Sequence, residues 1–139
     1  MELFRLENLS FTYPGVPDKA LSEISLTVRQ GEFVVVCGQS GCGKTTLLKM
    51  LKRELSPHGE KSGHIYYNGA ELSQLDARTA ACDIGYVVQN PEHQVVTDKV
   101  WHELAFGLEN MGVPTSVIRR RVGEMASFFG IQDWFRKSV

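Results

Sequence analysis

Residues 38–45 read GQSGCGKT and match the pattern G-x-x-x-x-G-K-[ST] through Gly38, Gly43, Lys44 and Thr45. The apolar run FVVVC precedes them at residues 33–37, and leucines at helical spacing follow. A buried strand, a glycine-rich loop and a helix in this order form the context that a phosphate-binding loop requires. The stretch therefore predicts a site for the phosphates of a nucleotide.

The chemistry follows from the residue types in this loop. Glycines permit positive φ angles and let backbone N–H groups crowd around an anion, and a helix that begins near Lys44 directs its positive end to the same place. We expect Lys44 to reach the β- and γ-phosphates, Thr45 to ligate Mg²⁺ and Thr46 to donate to the α-phosphate. A turn that binds nothing would leave Lys44 and Thr45 without a role. The remaining loop residues expected to line the nucleotide are Gln39, Ser40, Gly41 and Cys42.

Several segments around the loop have strand patterns. The run at 33–37 is continuously apolar and β-branched, as in a parallel strand covered on both faces, and Ile84 to Val88 is a second segment of this kind. Alternating apolar residues from Ile24 to Val28 predict a strand with one buried face. Three shorter strands are expected at Leu3 to Leu6, at Ser10 to Tyr13, and at Ile65 to Tyr67 before the Asn68-Gly69 turn.

Helical periodicity dominates the later part of the chain and also follows the loop. After the loop, we expect one helix that ends near Pro57 and Gly59, with a stripe formed by Leu47, Leu48, Leu51 and Leu55. Thr97 is expected to cap a second helix with an apolar face at Val100, Trp101, Leu104, Ala105 and Leu108. Gly112 and Pro114 interrupt it, and a third helix from Thr115 is expected to bury Ile118, Val122, Met125 and Phe129 and to end at Gly130.

Composition restricts the class of protein. The chain has 139 residues, a net charge of −1 and 42% hydrophobic residues, which is ordinary for one cytosolic domain and gives no electrostatic reason to expect nucleic acid as a partner. Its three cysteines are too few for a disulfide framework. No apolar run approaches the roughly 18 residues of a membrane span, and the first residues do not resemble a secretory signal.

Three features, in order along the chain, resemble the nucleotide-binding subunit of ATP-binding cassette (ABC) transporters. They are Tyr13 within FTYPG, the loop and helix GQSGCGKTTLL, and Gln89 at the start of QNPEHQ. The resemblance implies that Tyr13 stacks on adenine and that Gln89 ligates Mg²⁺ and senses the γ-phosphate of ATP. Two readings from the residues alone stay open, a half-buried strand aromatic for Tyr13 and a solvated loop amide for Gln89.

The stretch QNPEHQVVTDKVWHELAFGLEN, from Gln89 onward, is more specific. It resembles the ATPases of energy-coupling factor (ECF) importers, which take up vitamins and transition-metal ions such as cobalt or nickel. The resemblance implies a mixed α/β fold: a P-loop core with a partial parallel sheet around the loop helix, an N-terminal antiparallel β subdomain and the start of a helical subdomain. The expected division places the β subdomain and core in residues 1–89 and the helical part in 90–139.

The same resemblance implies partners and a location. Two ATPase subunits face each other head to tail, as a homodimer or a heterodimer, and an integral membrane subunit is the third component. The assembly lies peripherally on the cytoplasmic face of the cell membrane.

The family's LSGGQ signature, Walker B strand and switch histidine do not occur among these 139 residues. No general base can therefore be assigned, and we expect the isolated chain to bind Mg-ATP weakly without hydrolysing it. Two alternatives remain: a soluble ABC-type ATPase unconnected to transport, and an inert nucleotide-binding or scaffold module.

Overall fold

The computed structural model describes residues 1–139 and begins with a four-stranded antiparallel sheet. Its strand order is β2-β1-β3-β4, so β1 lies in the interior of the sheet between β2 and β3. Phe4 faces Val28 on one side and Tyr67 on the other, which defines the register of both pairings. The strands are β1 (Glu2–Thr12), β2 (Leu21–Arg29), β3 (Glu60–Tyr67) and β4 (Ala70–Glu71).

Strand β1 is continuous, and the prediction of two separate strands in this region was wrong. A bulge at Asn8, which has a positive φ of 48°, shifts the register on both sides of the strand. Gly63 on β3 lies against this bulge, and a Cβ there would be 2.4 Å from the Asn8 carbonyl oxygen. A bulge bends a strand and disturbs its pairing without ending it, so the two apolar segments belong to one element.

The core of this part of the chain forms between the sheet and the helix that follows the loop. Helix α1 spans Lys44–Met50 and buries Leu47 and Met50, while Leu48 is 44% exposed. The helix ends earlier than the leucine spacing predicts, and a short 3-10 turn at Arg53–Leu55 follows it. The buried side chains of the cluster are Leu6, Leu9, Phe11, Leu21, Leu47, Met50, Ile65, Tyr67 and Leu72.

The mixed α/β class is confirmed, but two individual strand predictions were wrong. Neither residues 33–37 nor residues 84–88 form a strand, and Phe33 is 93% exposed. A segment forms a strand only when a neighbouring strand pairs with its backbone, and the sheet of this chain contains only the four strands β1, β2, β3 and β4. The apolar pattern therefore does not produce a strand or a parallel sheet within these 139 residues.

A short helix that the sequence did not predict follows the sheet. Helix α2 spans Ala77–Asp83, and the Asp76 carboxylate caps it by accepting a hydrogen bond from the Thr79 N–H at 3.0 Å. Hydrogen bonds from Thr79, first from its side-chain hydroxyl and then from its N–H, lower the pKa of Asp76. The Lys52 ammonium group donates to the Ala80 carbonyl at 2.7 Å, close to the carboxyl end of the same helix. Such a cation is favourable beside unpaired helix carbonyls.

The chain divides into two compact units, Met1–Gly85 and Tyr86–Val139. The second unit contains α3 (Val100–Asn110) and α4 (Thr115–Phe129). No helix of the structure combines the length and the apolar character that crossing a membrane would require. The division at residues 89 and 90 that the sequence suggested stays a prediction.

The two helices of the second unit pack through Ala105, Ile118 and Val122. Gly130 ends α4 in the left-handed conformation, with a φ of 67°, as predicted. The expected burial of Phe129 was wrong, because this residue is 63% exposed, and Met125 is exposed as well. Ala126 occupies the buried position of this last turn instead.

The start of α3 also differs from the prediction. The residue at the N-cap position is Lys99 rather than Thr97. The Glu103 carboxylate accepts hydrogen bonds from the Val96 N–H at 3.1 Å and the Thr97 N–H at 2.9 Å. These contacts, led by the Thr97 N–H, hold the pKa of Glu103 below its usual value. A side chain inside the helix therefore satisfies donors that precede it.

Candidate functional site

The glycine-rich loop owes its shape to two different requirements on its glycines. Gly41 and Gly43 have φ angles of 83° and 93°, a region that side-chain-bearing residues rarely adopt. Space is the second requirement, because a Cβ on Gly43 would lie 2.4 Å from the Ala20 carbonyl oxygen. At Gly38 a Cβ would lie 2.7 Å from the Cys42 sulfur. The loop is consequently seated against the residue that precedes β2, and it closes tightly on itself.

Lys44, the first residue of α1, folds its side chain back over the loop. Its ammonium group donates to the carbonyl oxygens of Gly38 at 2.8 Å and Gln39 at 2.7 Å, and it lies 3.6 Å from the Cys42 sulfur. Lys44 takes part in none of the ion pairs of the structure. A positive charge without a carboxylate partner thus lies directly over the loop, where it would attract an anion.

The hydroxyl groups beside Lys44 have different surroundings. Thr45 is exposed, so its hydroxyl is open to a ligand from solvent. Thr46 is buried, and its hydroxyl lies 3.0 Å from the phenol oxygen of Tyr13. Gln39 and Ser40, in the loop itself, are exposed.

Tyr13 follows the end of β1 and is brought to the loop helix by this contact with Thr46. Tyr13 is 37% exposed, and its ring makes an edge-to-face contact with the ring of Phe11 at a centroid distance of 4.8 Å. The structure therefore places Tyr13 against Thr46, in the helix that follows the loop, and the roles of the two residues in a nucleotide site stay a prediction. The sequence did not reveal the hydrogen bond to Thr46, since no local pattern connects the two residues.

Gln89 belongs to the second unit and is exposed, and residues 84–88 before it form neither helix nor strand. A 3-10 turn at Pro91–Gln94 comes directly after it. The side chain of Gln94 bonds to the backbone of Tyr86 and Val88, a pair of contacts that sequence reasoning missed. Its only signal in the sequence is its place as the last residue of QNPEHQ.

Comparison with known proteins assigns the family. A sequence profile described as "ABC transporter" matches residues 21–139, which include the whole loop. The chain belongs to the ABC transporter family. This membership agrees with a loop in which Lys44 has no carboxylate partner and Gly41 and Gly43 have backbone conformations that other residues rarely adopt.

Two named bacterial proteins are similar in sequence to this chain of the ABC transporter family. A putative ABC transporter ATP-binding protein of Bacillus cereus is 50% identical over 134 residues, which are 96% of this chain and 24% of that protein. The energy-coupling factor transporter ATP-binding protein EcfA1 of Lacticaseibacillus paracasei is 36% identical over 93% of this chain and 45% of its own length. The chain thus spans about a quarter of the length of the first relative and under half of the second.

A solved structure shares the fold of this ABC family chain. It is CbiO1 of Clostridium perfringens, described as part of the ABC transporter complex CbiONQ, with a TM-score of 0.80 and 27% sequence identity. The match covers 99% of this chain and 54% of the CbiO1 chain.

Proposed function

We propose that the chain supplies the nucleotide-binding loop of an ATP-binding, ATP-hydrolysing subunit in an ABC-type importer of the energy-coupling factor type. The observation that carries the proposal is the Lys44 ammonium ion, held over the loop by two carbonyl oxygens at 2.7 and 2.8 Å without a carboxylate partner. Terminal phosphates offer such a cation stronger, charge-assisted hydrogen bonds than neutral carbonyls do.

The loop fits ATP and Mg²⁺ on chemical grounds. Gly41 and Gly43 keep the backbone free of side chains where an anion must approach the N–H groups, and Cβ atoms would clash at Gly38 and Gly43. Lys44 would bind the β- and γ-phosphates, and the exposed Thr45 hydroxyl would hold the metal. When bound, Mg²⁺ would neutralise charge on the terminal phosphates.

The other site residues take the roles that the family suggests. Tyr13 would stack on adenine, and Gln89 would contact Mg²⁺ and the γ-phosphate. Thr46 would donate to the α-phosphate while its oxygen accepts from the Tyr13 phenol, because a hydroxyl can donate and accept at once. This shared contact would link the base and phosphate ends of the site.

The importer assignment is supported by the resemblance to EcfA1 and CbiO1. We infer a head-to-tail pair of ATPase subunits on the cytoplasmic face of the membrane, together with an integral membrane subunit. The cargo would be a vitamin or a transition-metal ion. ATP-driven closure of the pair would move the membrane partner, and hydrolysis would reopen it. The test is to fractionate cells that contain the complete protein. Co-sedimentation with membranes, followed by release together with an integral membrane protein in mild detergent, would support the proposed assembly. Recovery of the complete protein as a free soluble species would contradict the proposed assembly.

Nucleotide binding is tested with the 139-residue chain and two lysine variants. Fluorescent ATP is titrated in the presence of Mg²⁺ against the natural chain, Lys44→Ala and the control Lys49→Ala, which removes a lysine from the last turn of the same helix. Loss of charge-assisted bonds at Lys44 should weaken binding about 10- to 100-fold, while Lys49→Ala should change it less than about twofold. Equal affinities for the two variants would contradict the proposed role of the loop.

The 139-residue chain should also turn over ATP at a rate close to background, because none of its residues is assigned to activate water. Sustained hydrolysis that Lys44→Ala abolishes would refute this part of the proposal.

A further inference from the structure

The side chain of Gln94 forms two hydrogen bonds with the backbone of residues 86–88. Its Oε1 accepts from the Val88 N–H at 3.1 Å, and its Nε2 donates to the Tyr86 carbonyl oxygen at 2.9 Å. In an extended chain the carbonyl of one residue and the N–H of the residue two positions later point to the same side. The Gln94 amide therefore pairs with residues 86–88 as a neighbouring strand would.

These two bonds close the loop that contains Gln89. The loop begins after Val88 and returns at Gln94 through a turn in which the His93 N–H donates to the Asn90 carbonyl at 3.0 Å. Gln89 is exposed, and neither of the Gln94 bonds involves it. The position of Gln89 thus depends on the backbone of the preceding residue, Val88, whose N–H donates to Gln94.

The Gln94 contacts are separate from the core of this unit. That core is formed by Ala105, Ile118 and Val122, and Gln94 is exposed and outside it. Removing the amide should leave the helices folded and change only the loop. Only an amide provides both bonds, because a carboxylate at this position would place an acceptor against the Tyr86 carbonyl.

We propose that Gln94 is a positioning residue that holds Gln89 where it acts on Mg²⁺ and the γ-phosphate. The inference rests on the function proposed above for Gln89. Gln94 itself touches neither the nucleotide nor the metal, and it acts through the backbone of Val88. Each neutral hydrogen bond of this kind is worth about two- to twelvefold in an equilibrium constant, so loss of both should noticeably lower the population of the competent loop.

The test uses the full-length ATPase assembled with its partner subunits. Gln94→Ala and Gln94→Glu are compared with Glu92→Gln, which changes a neighbouring exposed residue of the same turn. We expect both Gln94 variants to lower kcat about tenfold and to raise the Mg²⁺ concentration for half-maximal activity, with the KM for ATP within about twofold. Glu92→Gln should match the natural protein. Unchanged kcat and Mg²⁺ dependence in Gln94→Ala would overturn the inference.

A double-variant cycle separates positioning through Gln89 from a general structural effect. If Gln94 acts through Gln89, Gln94→Ala should have little further effect on hydrolysis in a Gln89→Ala background. The same tenfold loss in both backgrounds would overturn the inference. A Gln89→Ala protein with normal activity would remove the proposed role of Gln89 itself, whereas an impaired Gln89→Ala with a normal Gln94→Ala would remove only the role of Gln94.

Hydrogen exchange provides a readout that does not depend on activity. The Val88 amide should exchange about tenfold faster in Gln94→Ala, while the amides of α3 and α4 should be unchanged. Equal protection of Val88 in the two proteins would show that Gln94 does not hold this loop.

Discussion

Replacing Gly43 by alanine tests whether the loop is shaped by its seat against the chain before β2. The added Cβ would lie 2.4 Å from the Ala20 carbonyl oxygen and 3.1 Å from a methyl carbon of Leu21. Ordinary carbon–oxygen contacts are about 3.3–3.6 Å, so the two backbones would have to separate by roughly 1 Å. Gly41 is a matched control, because its φ of 83° is also positive but nothing lies within 4 Å of its would-be Cβ.

The expected magnitudes follow from the positive φ, which the two positions share, and from the neighbours of the added Cβ, in which they differ. A left-handed conformation costs a residue with a side chain about 1–2 kcal/mol, and this cost applies to both positions. Overpacking adds about 1–3 kcal/mol, and only Gly43→Ala should experience it. We therefore expect a loss of about 1–2 kcal/mol for Gly41→Ala and about 2–5 kcal/mol for Gly43→Ala.

The assay is urea unfolding of the 139-residue chain without nucleotide, followed by far-ultraviolet circular dichroism. Native-state hydrogen exchange of the β1 amides provides the free energy of the unit that contains both glycines. Equal destabilisation by the two substitutions would refute the argument, because it would show that conformation alone, without the approach of Ala20, explains both glycines.

Two further predictions concern single side chains. Hydrogen bonds from Thr97 and Val96 depress the pKa of Glu103, so the stabilisation they provide is present above about pH 4.5 and is lost as the pH falls through the folded-state pKa. Glu103→Gln should lower the free energy of unfolding at pH 7 by about 1 kcal/mol and make it less dependent on acid, as measured by urea midpoints from pH 3 to 7. Parallel pH profiles for the variant and the natural chain would contradict this. Leu47→Ala should lower the free energy of unfolding by about 2–4 kcal/mol and Leu48→Ala by less than about 0.5 kcal/mol, because only Leu47 is buried. Thermal or urea unfolding measures both, and similar losses of stability would contradict this assignment of the buried helix face.

Local patterns predicted those elements whose partners lie nearby in the sequence. The period-two pattern of Ile24 to Val28 identified β2, and the Asn68-Gly69 turn identified the end of β3. Gly130 identified the end of α4, since a helix commonly ends at a glycine in the left-handed conformation. The glycine-rich loop before α1 belongs to the same group, because its glycines, Lys44 and Thr45 are consecutive or nearly so.

Distant contacts were not accessible to such patterns. The apolar run at residues 33–37 reads as a buried strand, yet a strand requires a paired neighbour that no local sequence specifies. Periodicity placed Met125 and Phe129 inside, whereas Ala126 is the buried residue of this last turn. The hydrogen bond from Tyr13 to Thr46 likewise depends on the sheet carrying one residue to the other.

The sequence by itself determined the chemistry available to this protein, because the lysine, the hydroxyls and the conformational freedom of glycine are properties of consecutive residues. Tertiary structure decided the geometry: the Ala20 carbonyl that excludes a side chain at Gly43, and the Gln94 amide that closes the loop around Gln89. The physical reason is that steric exclusion and hydrogen bonding act over a few ångströms in space, irrespective of separation along the chain.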